Sequence, residues 1–285
     1  MKALISTFVL FAAAMPGIAQ TPAGKPASPV AEAAAAKAHR QTFSDAGKAA
    51  LAKSKEVAAA VRRLRGPERV KALEGAASAY DGVVAAFPGE PAVAAVAAIT
   101  AADLWRQQGS LPLAEKDYLL AAQLDAPRYG QRALLGAGDM QRRQKRLDEA
   151  MATYAKVVAI DGGSSRAQDA RLWQARLLQT MERIDEAIEA FQGALETADP
   201  GSETVEAANF LALCWIEKGD LDAAGRAIDH AEQAVGTMGE EDPIVVERLK
   251  KALEGMSAKK ALQRARDKHN GAAADAIRLE AARGK

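Results

Sequence analysis

A pattern of one apolar, one small and one bulky residue, set at helical spacing, recurs five times along this chain of 285 residues. It reads Leu73-x-x-Ala76-x-x-x-Tyr80-x-x-Val83, then Leu111-x-x-Ala114-x-x-x-Tyr118-x-x-Ala121, then Leu147-x-x-Ala150-x-x-x-Tyr154-x-x-Val157. Ile184-x-x-Ala187-x-x-x-Phe191-x-x-Ala194 and Leu221-x-x-Ala224-x-x-x-Ile228-x-x-Ala231 complete the series. The small residues stand 38, 36, 37 and 37 positions apart. A near-constant period of this length marks a unit that cannot bury its apolar face alone and does so by stacking on its neighbours, which is a solenoid. Steps of three and four keep each pattern on one helix face. Alanine is abundant and aromatics make up only 5% of the chain, so helices closely packed through small residues are expected, and the fold class is all-α.

These copies resemble the tetratricopeptide repeat family, whose units are two antiparallel helices with a small residue early in the second and an aromatic four places on. The resemblance runs over residues 57–236 and implies a TPR-like α-solenoid of about five helical hairpins with flanking N- and C-terminal helices. The small residue lets the helices of a hairpin approach, and the aromatic fills the gap to the next hairpin. Stripes at Ala98, Ala101, Ala102 and Trp105, at Leu134, Ala137, Gly138 and Gln141, and at Ala208, Leu211, Ala212 and Trp215 fit the first helices. Gly109 and Gly219 suit the left-handed turn within a hairpin, whereas Gln144-Lys145-Arg146 and Met181-Glu182-Arg183 have no glycine there. Residues 169–175 and Asp199-Pro200-Gly201-Ser202 give a narrower resemblance, to the periplasmic cell-division coordinator of the Tol-Pal envelope system and to outer-membrane assembly proteins. Gln174-Ala175 stands where that family has Leu-Gly.

Lys2 precedes an apolar run that ends at Pro16-Gly17, with small residues at Gly17 and Ala19. Residues 1–19 therefore read as a secretory signal peptide cleaved near Gln20, and the mature chain is expected in the periplasm or the medium. An uncleaved anchor is the alternative, against which the run falls short of the ~20 residues a span needs. Residues 20–30 hold three prolines and read as an extended tether. Residues 31–65 form an N-terminal helical segment with apolar Val57, Val61 and Leu64; its C-terminal part is a candidate first helix of the array. Residues 243–285 read as a basic C-terminal helix and tail that opens on Pro243, caps the array and breaks at Asn270-Gly271.

Convergent reactive groups are missing from the sequence. His39, His230 and His269 lie in separate segments without metal-ligand spacing, no phosphate-binding glycine loop occurs, and Gly162-Gly163-Ser164-Ser165 follows a helix where a nucleophile elbow needs a strand. Neither catalysis, a metal, a cofactor nor a small-molecule substrate is expected. The single cysteine, Cys214, reads as a small buried residue. A net charge of +1 argues against a nucleic-acid binder.

The expected function is a non-catalytic, exported protein-protein interaction scaffold of the cell envelope. Its ligand-reading positions should lie on the first helices, which line the inner face of such an array. The family register places Asp103, Arg106, Arg132, Asp139, Arg142, Asp169, Arg176 and Asn209 there, with Trp173 as the anchor candidate. Their mixed charge suits a protein or extended peptide, such as an envelope protein. The family's carboxylate-gripping variant uses Lys and Asn at places where Leu135 and Asp139 stand here. The alternative is a membrane-surface or polyanion-binding protein that uses Lys259, Lys260, Arg264, Arg266 and Lys268.

Overall fold

The computed structural model describes residues 43–197, 201–238 and 243–283, with side chains of the last stretch described to residue 273. The expected signal peptide, the proline tether and residues 31–42 lie outside the described residues, as do Asp199-Pro200 and Glu240-Glu241-Asp242. The described chain is helical and contains no strand. Its helices pair in chain order: α1 (Asp45–Ala60) with α2 (Gly66–Ala86), α3 (Pro91–Gln108) with α4 (Leu111–Leu124), and α5 (Ala126–Arg143) with α6 (Leu147–Ile160). Two more pairs follow, α7 (Ser165–Thr180) with α8 (Ile184–Thr197) and α9 (Ser202–Lys218) with α10 (Leu221–Gly236). Each first helix also touches the first helix of the next hairpin, and the second helices make no such contact. The stack therefore bends toward α1, α3, α5, α7 and α9, whose outer stripes share one inner face.

The repeating alanines explain the close pairing. Ala76, Ala114, Ala150, Ala187 and Ala224 are all fully buried, and the bulky residue four places on is buried beside each of them. Tyr118 and Tyr154 lie against glycines of α5. A Cβ at Gly136 would stand 2.7 Å from the Tyr118 ring, and one at Gly138 would stand 2.5 Å from the Tyr154 ring. Apolar packing runs as three clusters, the first two sharing Leu119 and Ala122 and the last two sharing Met151. Hydrophobic burial along this seam holds the array together. Between hairpins, buried Glu115 of α4 accepts from Gln141 Nε2 at 3.1 Å, from Gln144 Nε2 at 2.8 Å and from Arg146.

The four described turns within hairpins from α3 onward share one hydrogen-bond pattern. Ser110, Arg146, Arg183 and Asp220 each donate their N–H to a carbonyl five residues back, and the residue before each donates three back. This is the Schellman arrangement, which needs a left-handed residue just past the helix. Gly109 (φ 99°) and Gly219 (φ 82°) supply it as expected, and Lys145 (φ 62°) and Glu182 (φ 59°) supply it where glycine is missing.

Both ends depart from the sequence reading. All of α1 serves as the first helix of the array, so the hairpin begins at Asp45 rather than near Val57. Val61 is buried as expected, but Val57 is exposed, and α1 buries Gly47 and Ser54 instead. Ser44 caps α1 by accepting from Gly47 N, and its own hydroxyl donates to Glu90 Oε1 at 2.7 Å. The C-terminal region is two helices, α11 (Pro243–Glu254) and α12 (Ser257–Arg283), and the break expected at Asn270-Gly271 falls at Gly255-Met256. Glycine within a helix costs only ~1 kcal/mol, so α12 passes through Gly271. Buried Met256, Ala258 and Leu262 instead fix where α12 starts against the last hairpin.

Candidate protein-binding groove

Residues one repeat apart fall on the same station of the inner face. Arg132, Asp169 and Glu206 form one such row, Gly136, Trp173 and Phe210 the next, and Asp103, Asp139 and Arg176 a third. The groove is thus an array of short columns, each a helix turn deep, and its chemistry changes from hairpin to hairpin.

Toward α3 the groove is internally paired. Asp103 accepts from Tyr118 Oη at 2.5 Å and pairs with Arg132 at 3.3 Å and Arg106 at 3.5 Å. Burial raises the Tyr118 pKa above its usual value, and the hydrogen bond to Asp103 adds to this, so the hydroxyl keeps its proton as donor.

Toward α7 the groove carries a ring stack. Trp173 is half-buried, with the Arg142 guanidinium 4.2 Å and the Arg176 guanidinium 4.3 Å from its ring centre. Arg176 lies equally close to Phe210, at 4.4 Å. Phe210 stacks in turn on fully buried Phe191 of α8, with centroids 5.9 Å apart and planes 11° from parallel. The groove aromatics are thereby tied to the core, which limits their motion. Asp139 holds Arg142, and Glu206 holds Arg176 at 2.7 Å. Burial lowers the Arg176 pKa, Arg142 pushes the same way and Glu206 opposes them. Arg142, Lys145, Leu147, Trp173, Arg176, Leu177, Gln179, Thr180 and Phe210 line a pocket of about 380 Å³.

Asp169 sits apart from this pocket. Burial raises its pKa, and the nearby charges of Glu203 and Glu206 raise it further. Asn209 takes a different role from the one expected of it. Its Oδ1 accepts from Ala258 N at 3.0 Å and Ser257 Oγ at 3.2 Å, so it docks the start of α12 and that oxygen is engaged within the fold. The structure thus brings Asp139, Arg142, Trp173 and Arg176 together, gathers Asp103, Arg106 and Arg132 into a separate network, and assigns Asn209 to the cap. Phe210, Lys145 and Glu206 are groove residues that sequence reasoning passed over. Adding one period of 37 to Trp173 and to Asp169 finds the first and the last of these.

One cation of the basic C-terminal helix is neutralised by α10. Lys259 pairs with Glu232, Gln263 donates to Asp267, and the Arg266 guanidinium reaches to 3.1 Å of a Cβ built at Gly225. Among the described residues no helix is long and apolar enough to cross a membrane, and no cluster of three metal-ligating side chains occurs.

The family profile of the tetratricopeptide repeat matches residues 128–165 and 172–237. No curated protein sequence is significantly similar to this one. Among solved structures, a double mutant of MamA RS-1 is 15% identical with a TM-score of 0.51, covering 68% of this chain and 96% of that one. MamA from Desulfovibrio magneticus RS-1 is 15% identical with a TM-score of 0.50, covering 68% and 97%. YrrB, described as a TPR protein with an unusual peptide-binding site, is 18% identical with a TM-score of 0.44, covering 65% and 86%. At these identities the likeness to MamA is one of fold.

Proposed function

We propose that this chain, which matches the tetratricopeptide repeat profile over residues 128–165 and 172–237, is a member of that family and an exported, non-catalytic scaffold of the cell envelope that holds a protein segment against its inner face. Repeats of this family bind peptides or proteins, and the curvature of the stack makes the first helices the surface a segment would follow. One observation carries the reading: a half-buried aromatic, Trp173, stands on the inner face between two arginines, and one of these, Arg176, also lies over Phe210, which stacks on the core residue Phe191. Rigid aromatic and arginine groups that are part exposed are the side chains in which interfaces concentrate their binding energy. Export rests on the basic, apolar and small-residue order of residues 1–19.

Two experiments test this reading. N-terminal sequencing of the protein from its producing cells should find a start near Gln20 in the envelope or secreted fraction; a cytosolic chain still carrying Met1 contradicts export. Affinity capture from the envelope fraction should recover a partner with the wild-type chain and much less with Trp173→Ala. Because Trp173 is half-buried, that variant should lose roughly 1–2 kcal/mol of stability, less than the 3–5 of a fully buried aromatic. A collapse of the fold on that substitution, or undiminished capture, removes the inner face as the binding surface.

A further inference from the structure

Resting on the reading that the inner face binds protein segments, we propose that the pocket between α5, α7 and α9 takes an acidic side chain, Asp or Glu, from an extended segment of the partner. The pocket is lined by three cations, Arg142, Lys145 and Arg176, and by no carboxylate. Asp139 and Glu206 hold the two arginines from outside the lining, leaving Lys145 uncompensated. Arg142 Nε is buried, as is the Tyr154 hydroxyl that interacts with the same side chain, so the outer guanidinium nitrogens of Arg142 are the ones a ligand can reach. An incoming carboxylate offers two acceptor oxygens to guanidinium edges whose faces are already stacked on Trp173 and Phe210.

The backbone at this end of the groove offers little competition. Helix C-termini present carbonyls, which repel anions, but here those carbonyls are taken up. Leu177 O and Leu178 O accept from the N–H groups of Met181 and Arg183, and Arg176 O accepts from Thr180 Oγ1. The charged groups of the pocket are therefore all cationic, beside the neutral amide of Gln179. Leu147, Leu177, Trp173 and Phe210 supply the apolar part of the wall, so the acidic residue should be flanked by an apolar one.

The groove is also polar in direction. Asp169, Glu203 and Glu206 gather toward the N-terminal ends of α7 and α9, and the arginines lie one to two turns further along. A uniformly acidic segment would meet repulsion at the first group. The charge pattern suits a segment whose acidic residue enters at Arg142 and Arg176, with neutral or basic residues over Asp169.

The test uses the full chain and an immobilised pool of nonapeptides, randomised except for a central Glu, Gln or Lys. Glutamate-centred peptides should be retained best, by about tenfold over their glutamine counterparts, with the advantage shrinking as salt is raised. The double variant Arg142→Gln, Arg176→Gln should erase that preference. Lys145→Glu provides an arm independent of packing, because Lys145 is exposed and Glu182 already occupies the matching left-handed position one hairpin on. It should cut glutamate retention several-fold with an unchanged melting temperature. Peptides retained without a glutamate preference, or with one that survives Lys145→Glu, overturn the proposal and leave the scaffold reading standing. No retention of any peptide overturns both.

Discussion

Lys145 holds, at φ 62°, the left-handed turn position that Gly109 fills at φ 99° one hairpin earlier. The same two backbone hydrogen bonds close both turns, so the fold imposes the conformation whatever the residue. An L-residue there carries a steric cost of ~1–2 kcal/mol that glycine avoids, offset in part by glycine's greater freedom when unfolded. Glu182→Gly should therefore stabilise the protein by about 0.5–1 kcal/mol, read as a rise in the urea midpoint. A fall in the midpoint would mean that the Glu182 side chain contributes more than its backbone costs. Lys145→Gly should stabilise equally but also remove a cation from the pocket.

Gly138 is required by its neighbour. The space a Cβ would enter belongs to the Tyr154 ring, which is fully buried and cannot swing aside into solvent. Gly138→Ala, normally favourable in a helix, should cost about 1–3 kcal/mol through overpacking. A variant as stable as the parent would show that α5 and α6 can separate without penalty.

The pair Asp81 and Asp117 makes stability depend on pH. Asp117 is buried beside Asp81, and burial together with that neighbouring charge pushes its pKa from 3.8 up to about 7. The folded state therefore binds the proton more tightly than the unfolded chain. Its contribution is most favourable in acid, weakens as pH rises from about 4 to 7, and is constant above that. Asp117→Asn should flatten this slope and raise stability at pH 8 by roughly 1–3 kcal/mol while changing little at pH 4. Parallel pH profiles for variant and parent would contradict the assignment.

Asn209 ties the last helix to the array through two hydrogen bonds on one oxygen. Asn209→Ala removes the partner of the Ala258 N–H and should cost about 1 kcal/mol, the usual penalty for a lost helix cap. Amide exchange should accelerate in the first turns of α12 and stay unchanged in α5 and α6. Uniform acceleration along the chain would indicate that α12 and the array open as one unit.

The hairpins were legible because burial at Ala76, Ala114, Ala150, Ala187 and Ala224 demands small side chains at a fixed interval, and a demand on size leaves its mark on sequence. Lys145 and Glu182 hid two turns because tertiary packing and two backbone bonds overrode local preference. At Asn270-Gly271 the opposite happened: a local breaking signal of ~1 kcal/mol yielded to helix continuation, while Met256 and Asn209 set the real break through contacts remote in sequence. The groove was half visible. Arg142, Trp173 and Arg176 follow from register, but the joining of Phe210 to Phe191, and of Asn209 to α12, depends on how neighbouring units meet.

Whether partners are read on the inner face around Trp173 is reported by the indole N–H spectrum of the full chain, recorded by ¹H–¹⁵N NMR. Trp105, Trp173 and Trp215 supply three signals. Titration with the best-retained glutamate-centred peptide should shift the Trp173 signal and leave that of buried Trp105 in place. A shift confined to Trp105 or Trp215, with Trp173 unmoved, would contradict the account.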